Sequence, residues 1–116
     1  MTIELTDPED AKLLTLARAS RARTQAVEGA AVRDTDGRTY TATNVDLPSL
    51  RLSALQVATV MAVSSGAQGL EACLVIGDGR GGVRDADVAA VTGFAGDGVV
   101  IYLASADGHV VASVTT

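Results

Sequence analysis

The segment Leu70 to Ile76 constrains the fold more than any other part of the sequence. It reads Leu-Glu-Ala-Cys-Leu-Val-Ile and is apolar at nearly every position, without polar alternation. Such a run is typical of a central strand that is covered on both faces. The sequence therefore predicts a sheet with a layer packed on each side.

Two pairs of strand-like segments are predicted to form antiparallel hairpins beside this strand. Each pair is joined by a short turn that contains Asp-Gly, a dipeptide that favours hairpin turns. The first pair is 29–33 with 39–45, and the second is 99–103 with 109–114.

Three segments are predicted to be helical: 8–23, 52–65 and 84–94. The first begins after Asp7, an expected N-cap, with Pro8 at its first position. The second follows Pro48 and Ser49, which should stop extended structure and offer a cap. It is apolar nearly all round, so we expect it to be buried on several sides.

The order of these elements predicts the fold class. A central strand, two hairpins and three helices give a three-layer αβα arrangement in the α/β class, with a mixed five-stranded sheet. The 116 residues suffice for one domain, 1–116, and leave no room for a second.

Charge and composition exclude some functions. The net charge is −5 and the basic residues form no dense patch, which argues against direct binding to nucleic acid. Neither a bilayer-length apolar stretch nor a leader-like N-terminus is evident, so we expect no membrane partner and a cytoplasmic location. The lone Cys73 lies in the central strand and is expected to be buried and reduced.

Several residues could be taken for functional groups. The glycine-rich segment 77–82 lacks the Gly-Lys-Ser/Thr ending of a phosphate-binding loop, so a flexible loop is the preferred interpretation. Ser53 lacks the sequence context of a nucleophile, and a helix cap fits it better. His109 follows a turn and is expected on the surface.

Residues Asn44 to Gly66 resemble the active-site segment of the cytidine deaminase family. The family has an Asn-x-Glu pair, then Cys-Ala-Glu at the start of a helix that ends in Ala-Val-Ser-x-Gly. This chain keeps that frame at scattered positions, and the resemblance continues in Gly29-Ala-Ala and Asp107-Gly108. The retained residues of the segment are Asn44, Asp46, Ala62, Val63, Ser64 and Gly66.

The resemblance implies the cytidine deaminase fold but not its chemistry. Zinc deaminases hold a metal-activated water with Cys or His ligands and move protons with a Glu. Here Ser53 stands at the first ligand position and Leu55 at that of the Glu. The family's Pro-Cys-x-x-Cys aligns approximately with 84–88, which puts Asp85 and Val88 at the other two ligands. We therefore predict no metal, no cofactor and no catalytic residue.

The family's aromatic pocket for the pyrimidine is also missing. Its Phe before Val-Gly-Ala-Ala aligns with Ala26, and its neighbouring Tyr aligns with Arg23. Asn44 and Asp46 resemble the Asn and Glu that bind the ribose hydroxyls in the family. They are the candidate ligand-binding residues, although both could instead satisfy backbone groups in the turn before Pro48.

Three hypotheses follow. The first is a catalytically inactive deaminase-like protein, similar to small actinobacterial members of the family, that serves as a structural or protein-interaction module. It is expected to form a homo-oligomer, a dimer or tetramer, because family members bring the apolar helix 52–65 into subunit contacts; a separate protein partner stays unidentified. The second is a nucleoside or small-molecule binder that uses Asn44 and Asp46. The third is an active cytidine deaminase or another hydrolase.

Overall fold

The computed structural model describes residues 2–116 and contains three helices and seven strands within them. The helices are α1 (Pro8–Thr24), α2 (Ala54–Ser64) and α3 (Asp85–Ala95). The strands are β1 (Gly29–Asp34), β2 (Thr39–Thr43), β3 (Val45–Leu47), β4 (Leu50–Leu52), β5 (Leu70–Gly77), β6 (Val100–Ser105) and β7 (Val110–Thr115).

Five strands form one mixed sheet in the order β2-β1-β5-β6-β7. Only β5 and β6 run parallel, because α3 crosses over between them, and the other neighbours are antiparallel. The apolar segment predicted to be the central strand is β5, and every residue of it except Glu71 is buried. The mixed five-stranded sheet and both predicted hairpins are confirmed.

The sheet lies between two helical layers, each with its own apolar core. On one face, Leu13 and Ala17 of α1 pack with Leu74 and Ile76 of β5. On the other face, α2 and α3 pack over the alternate residues of the same strands, including Cys73. These layers confirm the αβα fold class.

Close contact between α1 and β1 depends on a glycine. A Cβ atom added at Gly29 would collide with the backbone oxygen of Ala17 and the side chain of Arg21. The absence of a side chain at Gly29 therefore lets the helix lie directly on the strand.

A polar cluster ties the same helix to the sheet. The Arg33 guanidinium contacts Asp10 of α1 at 3.0 Å, and the Tyr102 hydroxyl of β6 donates to the other oxygen of Asp10 at 2.9 Å. Buried polar groups of this kind are stable when hydrogen-bonded, so the cluster fixes the first turn of α1 against two strands.

The expectation for the segment before α2 was wrong. Pro48 and Ser49 do not stop extended structure or cap a helix; they form the turn of a third, small hairpin made by β3 and β4. The helix begins later, with Ser53 as its N-cap. The helix packs against the sheet and α3, as expected for a helix buried on several sides, and one apolar side stays uncovered, where Val60 and Val63 are 51% and 47% exposed.

No helix within residues 2–116 is long and apolar enough to cross a membrane.

Candidate functional site

The candidate site lies where the N-termini of α2 and α3 meet the residue before β1. Four polar side chains converge there from distant parts of the chain. They are Glu28, Ser53, Arg84 and Asp87.

Ser53 caps α2 and also reaches α3. Its hydroxyl accepts a hydrogen bond from the Gln56 backbone N–H at 3.1 Å, while the Gln56 side chain accepts from the Ser53 N–H at 2.9 Å, which completes a capping box. The same hydroxyl donates to Asp87 Oδ1 at 2.5 Å. The sequence-based prediction of a cap at Ser53 agrees with this geometry.

Glu28 connects the start of β1 to both helices. Its Oε1 atom accepts from the Ala54 backbone N–H at 3.2 Å, and its Oε2 atom accepts from the Arg84 guanidinium. The Glu28 side chain is only 14% exposed. It therefore supplies negative charge at the N-terminus of α2, whose first turn contains no acidic residue.

Arg84 and Asp87 approach the site from the start of α3. Arg84 Nη2 lies 3.5 Å from Asp87 Oδ2, so this contact is weaker than the one between Arg84 and Glu28. The Asp87 side chain is 3% exposed and lies in the first helical turn, where the helix dipole favours a carboxylate.

An open cleft of about 540 Å³ adjoins these residues. It is lined by both sequence-predicted ligand residues, Asn44 and Asp46, together with Glu28, Ser53 and Arg84. Its volume falls in the range of small-molecule sites.

Asn44 and Asp46 each have a partner within the chain. Asn44 Oδ1 accepts from the Glu28 backbone N–H at 3.0 Å, and Asp46 Oδ1 lies 3.0 Å from Arg51 Nε across the β3–β4 hairpin. The amide group of Asn44 keeps two N–H donors, and the Asp46–Arg51 pair is exposed on both sides. Both side chains therefore line the cleft while also serving local structure.

Leu55 lies two residues after Ser53 and points into the core. Its side chain is fully buried, in the same apolar cluster as Val32 and Ile101. A leucine offers no atom that can carry a proton, so this position cannot act as a general acid or base.

Of the other residues considered from the sequence, Cys73 and His109 lie apart from the site, and the loop 77–82 lies beside it. Cys73 is buried in β5, and burial raises the pKa of its thiol to about 12. His109 is exposed, with Nδ1 3.3 Å from Asp107 Oδ2 in the last turn. The loop 77–82 follows β5 and lines a second, smaller cavity of about 190 Å³ beside Glu28 and Asp87.

Comparisons with known proteins identify the fold and the family of this chain. A family model described as cytidine deaminase-like matches residues 6–108, and the chain belongs to this family. The cytidine deaminase of Burkholderia pseudomallei superposes with a TM-score of 0.74 at 21% identity, covering 90% of this chain and 89% of that one. The Mycobacterium leprae enzyme gives 0.69 at 21% identity and covers 94% of both chains. The Mycobacterium tuberculosis enzyme gives 0.69 at 24%, covering 82% and 85%.

A comparison with curated proteins gave no match. The structural likenesses support the cytidine deaminase fold, as the sequence resemblance implied.

Within the segment to which the family's Pro-Cys-x-x-Cys was aligned, the structure brings a different pair of side chains into the site. Sequence alignment put its two cysteines at Asp85 and Val88, but Asp85 is exposed and contacts neither Ser53 nor Glu28. The residues that do so are Arg84, the N-cap of α3, and Asp87, which have the same separation of three. The three positions that converge are therefore Ser53, Arg84 and Asp87.

These residues do not fit the zinc ion that the family implies. A hydroxyl and one carboxylate are poor substitutes for thiolates, and the Arg84 guanidinium brings a positive charge to the point where a cation would bind. Among residues 2–116, no group of three or more His, Cys, Asp or Glu side chains could hold a metal ion.

Sequence reasoning missed Glu28 and the roles of Arg84 and Asp87. Apart from the contact between Arg84 and Asp87, their contacts span between 26 and 56 residues along the chain, so no local pattern reveals them. One signal was present: Arg84 and Asp87 have the spacing of Cys-x-x-Cys and carry opposite charges.

Proposed function

We propose that this chain is a catalytically inactive member of the cytidine deaminase-like family that acts as one folded, self-associating module in the cytoplasm. The carrying observation is the complete burial of Leu55 in the apolar core. Deamination by the family mechanism needs a proton-carrying group at that position and a metal-activated water beside it. Here the first is an aliphatic side chain, and the second would have to displace an arginine.

The buried position of Leu55 also explains why the fold is stable without a glutamate there. A carboxylate buried among Val32 and Ile101 without a metal or water would carry a large desolvation penalty, whereas leucine gains packing. The substitution therefore suits a core position better than a catalytic one.

Activity and metal content test the catalytic part of the proposal. Purified protein is assayed for loss of cytidine and deoxycytidine absorbance, with and without added zinc, and its metal content is measured. The expected result is no turnover and substoichiometric zinc. Stoichiometric zinc together with turnover of cytidine would overturn the proposal in favour of an active deaminase.

The exposed apolar face of α2 supports self-association. Val60, Met61 and Val63 are 51%, 40% and 47% exposed. Beside them lies a mainly apolar groove of about 480 Å³ that includes Phe94 of α3. Contiguous apolar surface of this kind is typical of interaction sites, and a second copy of the chain is the proposed occupant.

Light scattering tests self-association. The native chain is expected to have the mass of a dimer or tetramer at micromolar concentrations, and Val60→Glu is expected to lower that mass because it puts a charge into the interface. The matched control Thr92→Glu adds the same charge at an exposed position of α3. A native protein that is monomeric throughout this range would contradict the oligomeric part.

A second candidate function is the binding of a nucleoside or similar small molecule without reaction. The cleft of about 540 Å³ beside Asn44 and Asp46 favours it. A ligand diol could take hydrogen bonds from the Asn44 amide and donate to Asp46 after the Asp46–Arg51 pair opens, which costs little for an exposed pair.

Nucleoside binding is tested by thermal shift and calorimetry with cytidine, uridine and adenosine. Binding is expected to be lost in Asp46→Ala and kept in Asp36→Ala, which changes an exposed carboxylate in a different turn. Failure of all three nucleosides to bind would reject this function and leave the first proposal intact.

A further inference from the structure

We infer that a closed polar ring formed by Glu28, Ser53, Arg84 and Asp87 takes over the structural task of the missing metal and clamps the N-termini of α2 and α3 to the start of β1. This inference rests on the proposed loss of zinc and concerns what replaces it.

The ring is continuous. Ser53 donates to Asp87, Asp87 contacts Arg84, and Arg84 donates to Glu28. Glu28 closes it by accepting from the Ala54 N–H, next to Ser53 in the first turn of α2. Each link joins two different segments except the one between Arg84 and Asp87.

A metal bound at the same three positions would join α2 to α3. The ring makes this connection through Ser53 and Asp87 and adds a third segment through Glu28, which stands where the family's Val-Gly-Ala-Ala pattern has valine. A valine could not accept hydrogen bonds from both helices. Glu28 is therefore the residue that connects the start of β1 to the ring.

The formal charge of the ring also equals that of a zinc site with three thiolates. The two carboxylates and one guanidinium of the ring leave a formal charge of −1. Three thiolates around a divalent zinc ion leave the same −1. Both arrangements present a net negative charge to the positive ends of two helices, so replacing one by the other keeps the local electrostatic balance.

Burial makes the ring more than a surface ion pair. The side chains of Glu28 and Asp87 are 14% and 3% exposed and that of Arg84 is 55% exposed, whereas both members of the Asp46–Arg51 pair are more than 70% exposed. Ion pairs at the surface contribute little to stability, while removal of Arg84 leaves the largely buried Glu28 carboxylate without its charged partner. The two pairs thus form an internal comparison within one chain.

A double-mutant cycle tests the clamp. Glu28→Gln, Arg84→Gln and the double variant are compared by urea unfolding, with Asp46→Asn, Arg51→Gln and their double as the control cycle. The expected coupling between Glu28 and Arg84 is about tenfold in the unfolding equilibrium constant, against about fivefold at most for the exposed pair. Coupling no larger than the control overturns the inference.

Hydrogen exchange shows where in the chain a variant loosens the structure, which distinguishes loss of the clamp from a general loss of stability. Arg84→Gln is expected to speed amide exchange in 77–88 and in the first turn of α2 while leaving the β1–β2 turn unchanged. Unchanged exchange in 77–88 would contradict the clamp. Zinc content of the native chain separates the two proposals: stoichiometric zinc refutes the proposed function, whereas weak coupling in a zinc-free chain refutes only the clamp.

Restoring the metal ligands provides a gain-of-function test. A variant with Ser53→Cys, Arg84→Cys, Asp87→Cys and Glu28→Val is expected to bind about one zinc per chain, because the three positions converge, and to regain slow exchange in 77–88 when zinc is added. A folded variant that binds no zinc contradicts the equivalence of the positions. If the variant does not fold, the double-mutant cycle decides.

Discussion

Ser53 Oγ and Asp87 Oδ1 are 34 residues apart in sequence and 2.5 Å apart in the structure, and their hydrogen bond joins the cap of α2 to the first turn of α3. The same hydroxyl accepts from the Gln56 N–H. One serine hydroxyl therefore serves two helices.

Ser53→Ala should therefore destabilise the protein by about 1–3 kcal/mol, because it removes a helix cap and leaves the buried Asp87 carboxylate without one donor. Urea unfolding followed by circular dichroism measures the change. Ser49→Ala, in the exposed β3–β4 turn, is the control and should change stability by less than about 0.5 kcal/mol. Equal effects of the two substitutions would show that the Ser53 contacts contribute nothing.

Truncation of Leu55 tests its role in the core. Leu55→Ala should lower stability by about 2–5 kcal/mol, since it opens a cavity between α2 and the sheet. The matched control is Leu47→Ala in β3, where the side chain is 52% exposed. Both variants are compared by urea unfolding. An equally small loss of stability in the two would contradict the assignment of Leu55 to the core.

The variant Leu55→Glu tests whether the chain lacks only a catalytic glutamate or lacks the metal-binding positions as well. The variant is expected to be strongly destabilised and to show no turnover of cytidine, because the other positions still cannot bind a metal. Appearance of deaminase activity in this single variant would show that only the glutamate had been lost.

The sequence predicted the elements whose signals are local. Asp7 and Pro8 mark the start of α1, and the Asp7 carboxylate accepts from the Glu9 N–H at 2.9 Å as expected for a cap. The central strand was predicted from its apolar residues because burial on both faces leaves a direct mark on composition.

The remaining errors come from features that local patterns do not carry. Strands β3 and β4 have three residues each, too few for periodicity, and Pro48 was interpreted as a stop signal when it lies in a turn. The exposed face of α2 is as apolar as its buried face, so composition could not separate them. The polar ring depends on contacts across the fold, which only the three-dimensional structure brings together.

A buried carboxylate in the β1–β2 turn predicts a pH dependence. Asp34 is 1% exposed and accepts from the backbone N–H groups of Asp36 and Arg38 and from the Tyr40 hydroxyl, each at 2.9 Å. Burial by itself would raise the pKa of Asp34, but the three hydrogen bonds outweigh it and hold the pKa below its usual range.

Because the folded pKa of Asp34 is below the unfolded value of about 4, its contribution to stability is complete above that value and is lost as the pH falls through the folded pKa. Unfolding midpoints measured from neutral to acid pH should fall less steeply in Asp34→Asn than in the native protein. Asp36→Asn, an exposed neighbour, should keep the native slope. Parallel curves for native protein and Asp34→Asn would refute the prediction.

Two glycine-to-alanine substitutions should change the stability of the protein in opposite directions. At Gly29 the added methyl group would collide with the Ala17 backbone oxygen, which cannot move without shifting α1, so Gly29→Ala should destabilise by about 1–3 kcal/mol. Gly93 lies inside α3 with no atom within 4 Å of an added Cβ. Gly93→Ala should therefore stabilise by about 0.5–1 kcal/mol through helix propensity. Thermal and urea unfolding of both variants measures the direction of each change in stability. A Gly29→Ala variant as stable as the native protein would show that α1 does not pack directly on β1.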